Sequence, residues 1–344
     1  MGVLVFVMVL TSLNEKQSMH LMRAEVPGPE ADKLLPKAKN NARLLYAMYL
    51  ALTVLEILFL LAGGMNLYDS ITHSFSTAGT GGFSNRNASI GFYDSAYIDG
   101  VITVFMILFG VNFNMYFLLL IKEVKSVWKN EEVRAYFIII AGAIAAITIN
   151  TYSVYESIGK AFRYSAFQVA SIITTTGFGT ADFNMWPEFS KAILMTLMVI
   201  GACAGSTGGG MKVSRFLILL KSIKKEVKQL LHPKAVSVTR INEKKVGADT
   251  LRGVYIYFFA YILILVVSVL IVSLNNFDFS TTFSSVLTTL NNVGPGISLV
   301  GPTENFAKFS GLSKLVFCFD MLAGRLEIFP ILMVMSPSLW RRRF

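Results

Sequence analysis

The chain has 344 residues, of which 54% are hydrophobic and only 15% are charged, and its mean hydropathy is +0.58. A soluble protein carries roughly 25% charged residues, so the composition excludes a soluble globular domain and predicts a membrane protein. The net charge of +10 does not indicate binding to nucleic acid, because the basic residues fall between the apolar segments rather than in one domain.

Seven apolar segments follow one another along the chain. The first, residues 1–13, is shorter than the roughly 20 residues that a helix needs to cross a bilayer, and it lacks the basic start and cleavage site of a signal peptide. We interpret it as the end of a helix. Each of the other six is predicted to cross the membrane: 44–62, 97–121, 136–151, 192–220, 254–274 and 312–335.

A short run compatible with helix lies between the two spans of each successive pair and ends in a turn of small residues. The runs cover 69–78, 160–174 and 280–290. The turns are Thr80-Gly81-Gly82-Phe83-Ser84, Thr175-Thr176-Gly177-Phe178-Gly179 and Asn292-Val293-Gly294-Pro295-Gly296. The sequence therefore predicts an all-α polytopic membrane protein, with repeated helix–pore helix–filter loop–helix units around a central ion pathway, as in potassium channels.

The composition of the turns suits a filter for a potassium-sized cation. Backbone carbonyls can replace the hydration shell of an ion without adding a counter-charge, and glycine allows successive residues to alternate in hand. Helices that stop midway through the membrane would point their negative dipole ends at the ion. The alternative is that the turns merely connect extracellular helix ends. The predicted filter residues are Thr80, Gly81, Gly82, Phe83, Thr175, Thr176, Gly177, Phe178, Asn292, Val293, Gly294 and Pro295, with potassium bound by the carbonyls of Gly82, Gly177 and Gly294.

The lysines and arginines predict the orientation of the chain, because cytoplasmic loops retain positive charge. The segments that join one unit to the next are strongly basic, whereas the loops that carry the glycine turns are not. The turns are therefore expected to enter from outside, with the C-terminus in the cytoplasm. The basic segment 221–245 suits a docking site for a cytoplasmic partner, a solvated basic linker or a surface that contacts anionic lipid.

A gate is predicted on the inner side of the pathway. Each glycine weakens a helix by about 1 kcal/mol relative to alanine, so the glycine-rich stretch 201–210 should break its span, although it could instead be a packing face. Arg325 lies in an apolar span and is expected to face the pore, unless it pairs with Asp320 or Glu327. The predicted gate residues are Gly205, Ser206, Thr207, Gly208, Gly209, Gly210 and Arg325.

The sequence does not indicate an enzyme, and no catalytic residue is predicted. The histidines His20, His73 and His232 are scattered without the spacing of a metalloprotease site. Cys203 and Cys318 lack metal-ligand spacing and are predicted to be small buried residues.

Several motifs together resemble those of the Trk, Ktr and HKT superfamily of potassium transporters, most closely the TrkH type of bacterial Trk potassium-uptake systems. The resemblance runs along nearly the whole chain. It rests on 73–75 (HSF), 81–84 (GGFS), 88–91 (ASIG), 174–180 (TTTGFGT), 205–209 (GSTGG), 324–327 (GRLE) and 329–330 (FP).

The resemblance implies a bacterial inner-membrane protein that takes up potassium, with the filter, gating loop and gating arginine at the positions above. It also implies a homodimer and a TrkA-like cytoplasmic nucleotide-binding regulatory subunit, with no cofactor bound by this chain and no nucleic acid partner. The implied units are 1–43, the remnant of a first-repeat inner helix with a linker; 44–133, the second repeat; 134–250, the third repeat with its broken inner helix and basic linker; and 251–344, the fourth repeat and tail.

The sequence departs from the family in holding three filter turns where the family has four. Residues 1–4 look like the interior of a helix, so we expect an incomplete copy that does not transport by itself, either a true truncation or a start set too late. Other possibilities are a sodium or mixed-cation transporter of the same fold, or a non-conducting assembly subunit. A carrier of organic solutes would more often place polar groups at the midplane.

Overall fold

The computed structural model describes residues 38–233 and 238–326, together with Ile328 and Ile331. Predictions for residues 1–37, for Glu327, for 329–330 and for the tail 332–344 lie outside the described residues. Within them the helices are α1 (Ala38–Ala62), α2 (Leu67–Ala78), α3 (Ala96–Phe109), α4 (Phe113–Leu120), α5 (Val124–Lys129), α6 (Glu131–Tyr155), α7 (Ile158–Ile173), α8 (Glu188–Ile200), α9 (Val213–Leu231), α10 (Ala248–Val272), α11 (Phe279–Leu290) and α12 (Gly311–Arg325).

Three times a helix of 25 residues is followed by a shorter helix and then by a third helix of 13 to 15 residues. The short helices α2, α7 and α11 correspond to the three predicted pore helices, and each contacts the helices before and after it in the chain. The starts of two of them are locally encoded, since Asn66 and Asp278 accept hydrogen bonds from the first-turn amides of α2 and α11, which lack intrahelical partners. The described chain is therefore built from three similar units.

The outside of the bundle is apolar, unlike that of a soluble protein, and many polar side chains are buried within it. Large hydrophobic side chains such as Leu58, Ile149 and Leu270 are more than half exposed. The pore helices instead bury serine and threonine along much of their length. Exposed contiguous apolar surface of this kind marks a lipid interface, so the polar core lies around the three turns.

Three described helices, α1, α6 and α10, contain segments long and apolar enough to cross a membrane, and the bent pair α3–α4 makes a fourth if it is counted as one span. The prediction of one continuous span over 97–121 is wrong, because α3 and α4 meet at 94°. The helix ends at Phe109. The side chain of Asn112 then accepts a hydrogen bond from the Asn114 amide and caps the start of α4.

The predicted break in the span 192–220 is present: α8 ends at Ile200 and α9 begins at Val213. Beyond α9 the chain forms a two-stranded antiparallel hairpin, β1 (Arg240–Ile241) and β2 (Lys244–Lys245), which the sequence did not predict. Asn242 and Glu243 both have positive φ, as in the type I′ turn that matches the twist of a two-residue hairpin.

A candidate cation filter and the loop beneath it

The three glycine turns have the same backbone conformation. In each, the residue two places before the central glycine has positive φ, and so does the glycine, whereas the residue between them does not. The pairs are Thr80 with Gly82, Thr175 with Gly177, and Asn292 with Gly294. The predicted alternation of hand is therefore present, and it extends to two β-branched threonines, for which such φ values are unusual.

The pore helix produces this conformation as it ends. In the first unit the Thr80 amide donates to Thr77 O and the Gly81 amide to Ser76 O, which is the pair of bonds that closes a Schellman motif. The same pair recurs at Thr175 and Thr176 in the second unit and at Asn292 and Val293 in the third. Three unlike sequences thus satisfy the last carbonyls of their helices in the same way.

The turns lie side by side and touch at their glycines. A Cβ built on Gly82 would lie 2.0 Å from Thr176 O, and one on Gly177 would lie 2.2 Å from Val293 O. In both contacts the oxygen belongs to the residue just before the next central glycine. The three turns therefore follow one another around a common centre, and no larger residue fits at these two positions.

Side chains of the pore helices fix the outgoing strand of each turn. Ser171 Oγ donates to Phe178 O at 2.7 Å, and Thr288 Oγ1 donates to Pro295 O at 3.2 Å. These hydroxyls occupy equivalent positions, six residues before the central glycine. The equivalent Ser76 Oγ in the first unit is buried without a hydrogen-bond partner, so the first turn is secured differently.

His73 secures the first turn. Its Nδ1 lies 2.7 Å from Asp69 O and its Nε2 lies 2.9 Å from Ser84 Oγ. Because a carbonyl can only accept, Nδ1 carries the proton and donates to it, and Nε2 of the neutral ring accepts from the serine hydroxyl. The Arg86 amide in turn donates to Ser84 Oγ at 3.0 Å. The start of the pore helix is thereby tied to the end of its own turn.

Asp69 anchors the segment that follows this turn, residues 85–93. Its carboxylate accepts from Tyr93 Oη at 2.6 Å and from Arg86 Nη2 at 2.9 Å, and also from the Asn85 amide group. The bond from Tyr93 is the largest of the effects that hold the pKa of Asp69 well below its usual range. Burial, with the bond to Asp69, raises the pKa of Tyr93 to about 12.

A loop of residues 201–212, called here the intramembrane loop, runs directly beneath all three turns. Thr80 Oγ1 donates to Thr207 O at 3.0 Å, and the Gly209 amide donates to Thr175 Oγ1 at 2.6 Å. A Cβ built on Gly209 would lie 2.7 Å from Asn291 O. The predicted gate residues Thr207, Gly208 and Gly209 thus lie against the bases of the turns, where glycine permits close approach, whereas Gly210 packs against Gly201 within the loop.

The intramembrane loop also fills the break between α3 and α4. The Cys203 amide donates to Gly110 O at 3.0 Å, and the Phe113 amide donates to Gly205 O at 3.2 Å. Thr207 donates from both its amide and its hydroxyl to Phe109 O. Two interrupted helices from different units therefore satisfy each other's exposed backbone groups, as irregular backbone at membrane depth requires.

Arg325 reaches the same loop from α12. Its Nη1 donates to Thr207 O at 3.3 Å, the carbonyl that also accepts from Thr80. The alternative pairing with Asp320 is not what the structure shows, because Asp320 Oδ1 accepts instead from Ser268 Oγ at 2.8 Å. The arginine predicted to gate the pathway therefore lies against the predicted gating loop.

Three residues at this site were missed by the sequence analysis. Glu132 is buried, and its Oε1 accepts from the amides of Ala204 and Ser214. Lys212 is buried as well and donates to Gly208 O, and His73 lies against the first turn. An acidic pair at the start of an apolar span was the available signal for Glu132, although such a pair also suits a helix N-terminus.

The two cysteines differ from the prediction that both are buried. Cys203 is buried in the intramembrane loop, but Cys318 is exposed. Cys318 lies on a face of α12 that lines a cavity of about 590 Å³ between the third turn and the first, bordered also by Gly81, Phe83 and Gly294. The first and second turns and the second and third turns touch, whereas this cavity separates the third from the first.

Comparison with known proteins gives the same assignment along the whole chain. The TrkH family, described as "Cation transport protein", matches residues 1–342. The Trk system potassium uptake protein TrkH of Salmonella typhimurium is 37% identical over 345 residues, which cover 99% of this chain and 71% of that protein. Trk system potassium uptake protein TrkG of Escherichia coli K12 is 32% identical over 345 residues, covering 99% of this chain and 70% of that protein.

A solved structure shares the fold. The crystal structure of the potassium transporter TrkH from Vibrio parahaemolyticus superimposes with a TM-score of 0.84 at 34% identity, covering 98% of this chain and 70% of that one. The predicted all-α membrane fold and the resemblance in sequence are thereby confirmed, and the relatives are transport proteins rather than enzymes. The chain belongs to the TrkH family of cation transport proteins.

Proposed function

We propose that this chain forms the potassium pathway of a Trk-type uptake system. The observation that carries the proposal is the set of three turns with one backbone conformation, in contact at Gly82 and Gly177 and placed above one loop. Its named relatives are potassium uptake proteins. A ring of backbone turns suits an ion better than an organic solute, which would need polar side chains of its own shape.

Potassium is the substrate, and the filter residues are those of the three turns. The carbonyls of Gly82, Gly177 and Gly294 and of the residues beside them replace the hydration shell of the ion. The three pore helices end at the turns, so their negative dipole ends favour a cation there. Ser171 and Thr288 hold the outgoing strands in place, so the oxygens are fixed before the ion arrives.

The intramembrane loop and Arg325 form the gate. Gly205, Ser206, Thr207, Gly208, Gly209 and Gly210 lie in the path of an ion leaving the filter on the inner side. The Arg325 guanidinium adds a positive charge at the same level and repels a cation electrostatically. Opening requires the loop to leave the bases of the three turns.

The protein is a membrane subunit that works with other Trk components. We infer that it is a homodimer in the bacterial inner membrane, that its C-terminus is cytoplasmic, and that a TrkA-like nucleotide-binding subunit docks on its inner face. The basic residues of the segments between units support this orientation. We place the repeats at residues 44–133, 134–250 and 251–344.

Replacement of Gly177 by serine tests the filter. Gly177 has φ +88°, and its Cβ would lie 2.2 Å from Val293 O, so any side chain displaces the neighbouring turn. The test uses cells that lack other potassium-uptake routes and express the protein with its Trk partners. We expect the preference for rubidium or potassium over sodium to fall by about tenfold or more. A loss of about 1.4 kcal/mol of differential binding is enough for this effect.

Gly142→Ser is the matched control, because Gly142 lies within α6 and its Cβ would meet nothing within 4 Å. It should leave the preference unchanged. If the protein took up an organic solute and neither substitution changed that uptake, the result would contradict the proposal and indicate a solute carrier. Equal uptake of sodium and potassium by the parent would indicate a mixed-cation pathway, and no cation uptake by the parent would indicate an assembly subunit.

A further inference from the structure

One buried carboxylate closes the base of the intramembrane loop. Glu132 Oε1 accepts from the Ala204 amide at 2.7 Å and from the Ser214 amide at 3.1 Å. These amides flank the stretch that lies under the filter, since Thr207 and Gly209 lie between them. A single oxygen of α6 therefore holds both the entering and the leaving strand of the loop.

The bond to Ser214 replaces a helix cap that the loop does not provide. Ser214 is the second residue of α9, whose N-cap Lys212 makes no side-chain capping bond. The first amides of a helix have no intrahelical partner, and a carboxylate near them is favourable. Glu132 thus caps α9 from another helix, and α9 would lose that cap if the carboxylate moved.

The position of Glu132 is itself set from the cytoplasmic end of the fold. The adjacent Glu131 amide donates to Asn242 Oδ1 at 2.8 Å, which joins the start of α6 to the tip of the hairpin. Lys221 of α9 pairs with the Glu131 carboxylate and donates to Arg240 O at 2.8 Å. A cavity of about 450 Å³, lined by Glu132, Ala204 and Asn242 among others, lies at this junction.

We propose that Glu132 is a positioning residue that holds the intramembrane loop against the filter turns, with Asn242 of the hairpin fixing the helix end that carries it. Loss of the Glu132 carboxylate removes the acceptor of the Ala204 and Ser214 amides at once. The backbone bonds of the loop to Phe109 and Gly110 remain, so the loop is loosened rather than released. The hairpin is the described element through which a change at the inner surface would reach the loop.

Cys203 reports directly on the position of the loop. It is fully buried next to Ala204, and the chain has only two cysteines. In a Cys318→Ser background, the rate of its modification by a small methanethiosulfonate reagent measures how often the loop leaves its site. The full-length protein is used, in membranes, with uptake measured on the same preparation.

Glu132→Leu should raise the rate of Cys203 modification by about tenfold, because the amides of Ala204 and Ser214 lose their charged acceptor. Glu132→Gln should stay near the parent rate, because its amide oxygen can accept the same two bonds. Glu123→Gln, which changes an exposed acid, is the control. A leucine variant as slow as the parent, or a glutamine variant as fast as leucine, would overturn the proposal.

Asn242→Gly provides a second variant if Glu132→Leu does not fold. The φ of Asn242 is +49°, a conformation that glycine adopts readily, so the substitution removes the bond to Glu131 without straining the hairpin. It should raise the rate of Cys203 modification by a smaller factor than Glu132→Leu, and an unchanged rate would overturn the proposal.

The inference rests on the proposed function only in regarding the loop as a gate. Faster modification with unchanged potassium uptake would support the role of Glu132 and contradict the gate.

Discussion

Hydroxyl groups in the pore helices show how a single residue can shape the filter. Ser171 donates to the buried carbonyl of Phe178, whereas Ser76, at the same position in the first unit, has no hydrogen-bond partner. The two serines have the same chemistry and the same place in the repeated unit. They differ in that only Ser171 donates a hydrogen bond to a carbonyl of the turn. Ser76 is therefore the control for Ser171.

Ser171→Ala should therefore destabilise the protein by about 1–3 kcal/mol, because it leaves the Phe178 carbonyl unsatisfied, and should reduce preference for potassium over sodium. Ser76→Ala should change stability by less than about 0.5 kcal/mol. Thermal unfolding of the purified protein and ion competition for uptake measure the two effects. Equal effects of the two substitutions would show that the hydrogen bond to Phe178 does not hold the turn.

The sequence predicted the glycines of the turns but not the residues that fix them. A glycine at positive φ is visible from composition, since no other residue adopts that conformation as readily. The positive φ of Thr80 and Thr175 was not visible, because a threonine reveals no such preference and the end of the pore helix imposes it. Glu132 was missed for a related reason: its partners are backbone amides that no side-chain pattern encodes. His73 bonds to one backbone carbonyl and to the hydroxyl of Ser84, eleven residues away.

At the scale of elements, the two interrupted helices form one pair, in which each break supplies hydrogen-bond partners to the other. The break after Phe109 receives the intramembrane loop, and each supplies the backbone partners that the other lacks. The glycine run near 205 predicted one break, since four glycines in a short stretch are costly for a helix. The other break has only Gly110 and the capping residue Asn112 to mark it, and the apolar sequence around it is that of a continuous span.

The segment after the first turn, residues 85–93, should make the stability of the protein depend on pH, because its side chains bond to the Asp69 carboxylate. The pKa of Asp69 is lowered in the folded state, chiefly by the bond from Tyr93. A depressed carboxyl pKa contributes stability that is complete above the unfolded-state value of about 3.9 and is lost as the pH falls below it. We expect the melting temperature of the parent protein to fall progressively as the pH is lowered from about 5 toward the folded-state pKa of Asp69.

Asp69→Asn removes this titration, so the variant should be less stable at pH 7 and its melting temperature should depend less on pH over the same interval. The amide cannot provide the charge that Arg86 and Tyr93 contact, which explains the loss at neutral pH. Asp94→Asn serves as a control, because Asp94 is mostly exposed. Parallel pH profiles for the parent and Asp69→Asn would contradict the assignment of the acid dependence to Asp69.

At the scale of the whole molecule, the three units meet at one atom. Thr207 O belongs to the loop of the second described unit, accepts from Thr80 of the first, and accepts from Arg325 of the third. Movement of the loop therefore requires contacts with all three units to change together. The three turns that hold the predicted filter residues lie above this junction, so we expect ion selection and gating to be separable by mutation.

Arg325→Ala tests that separation. Loss of a hydrogen bond from a charged donor is worth about 1.5–3 kcal/mol, and a shift of about 1.4 kcal/mol toward the open state multiplies its population by about ten. Loss of the guanidinium also removes a positive charge from the cation's path. We therefore expect uptake of potassium without activation by Trk partners to rise by up to about tenfold, with the potassium-to-sodium preference unchanged because no filter residue is altered.

Arg252→Ala, which changes an exposed arginine on α10, is the control and should leave both the uptake and the preference as they are. If Arg325→Ala changed selectivity as much as rate, the arginine would be acting on the filter itself, and the two functions would not be separable.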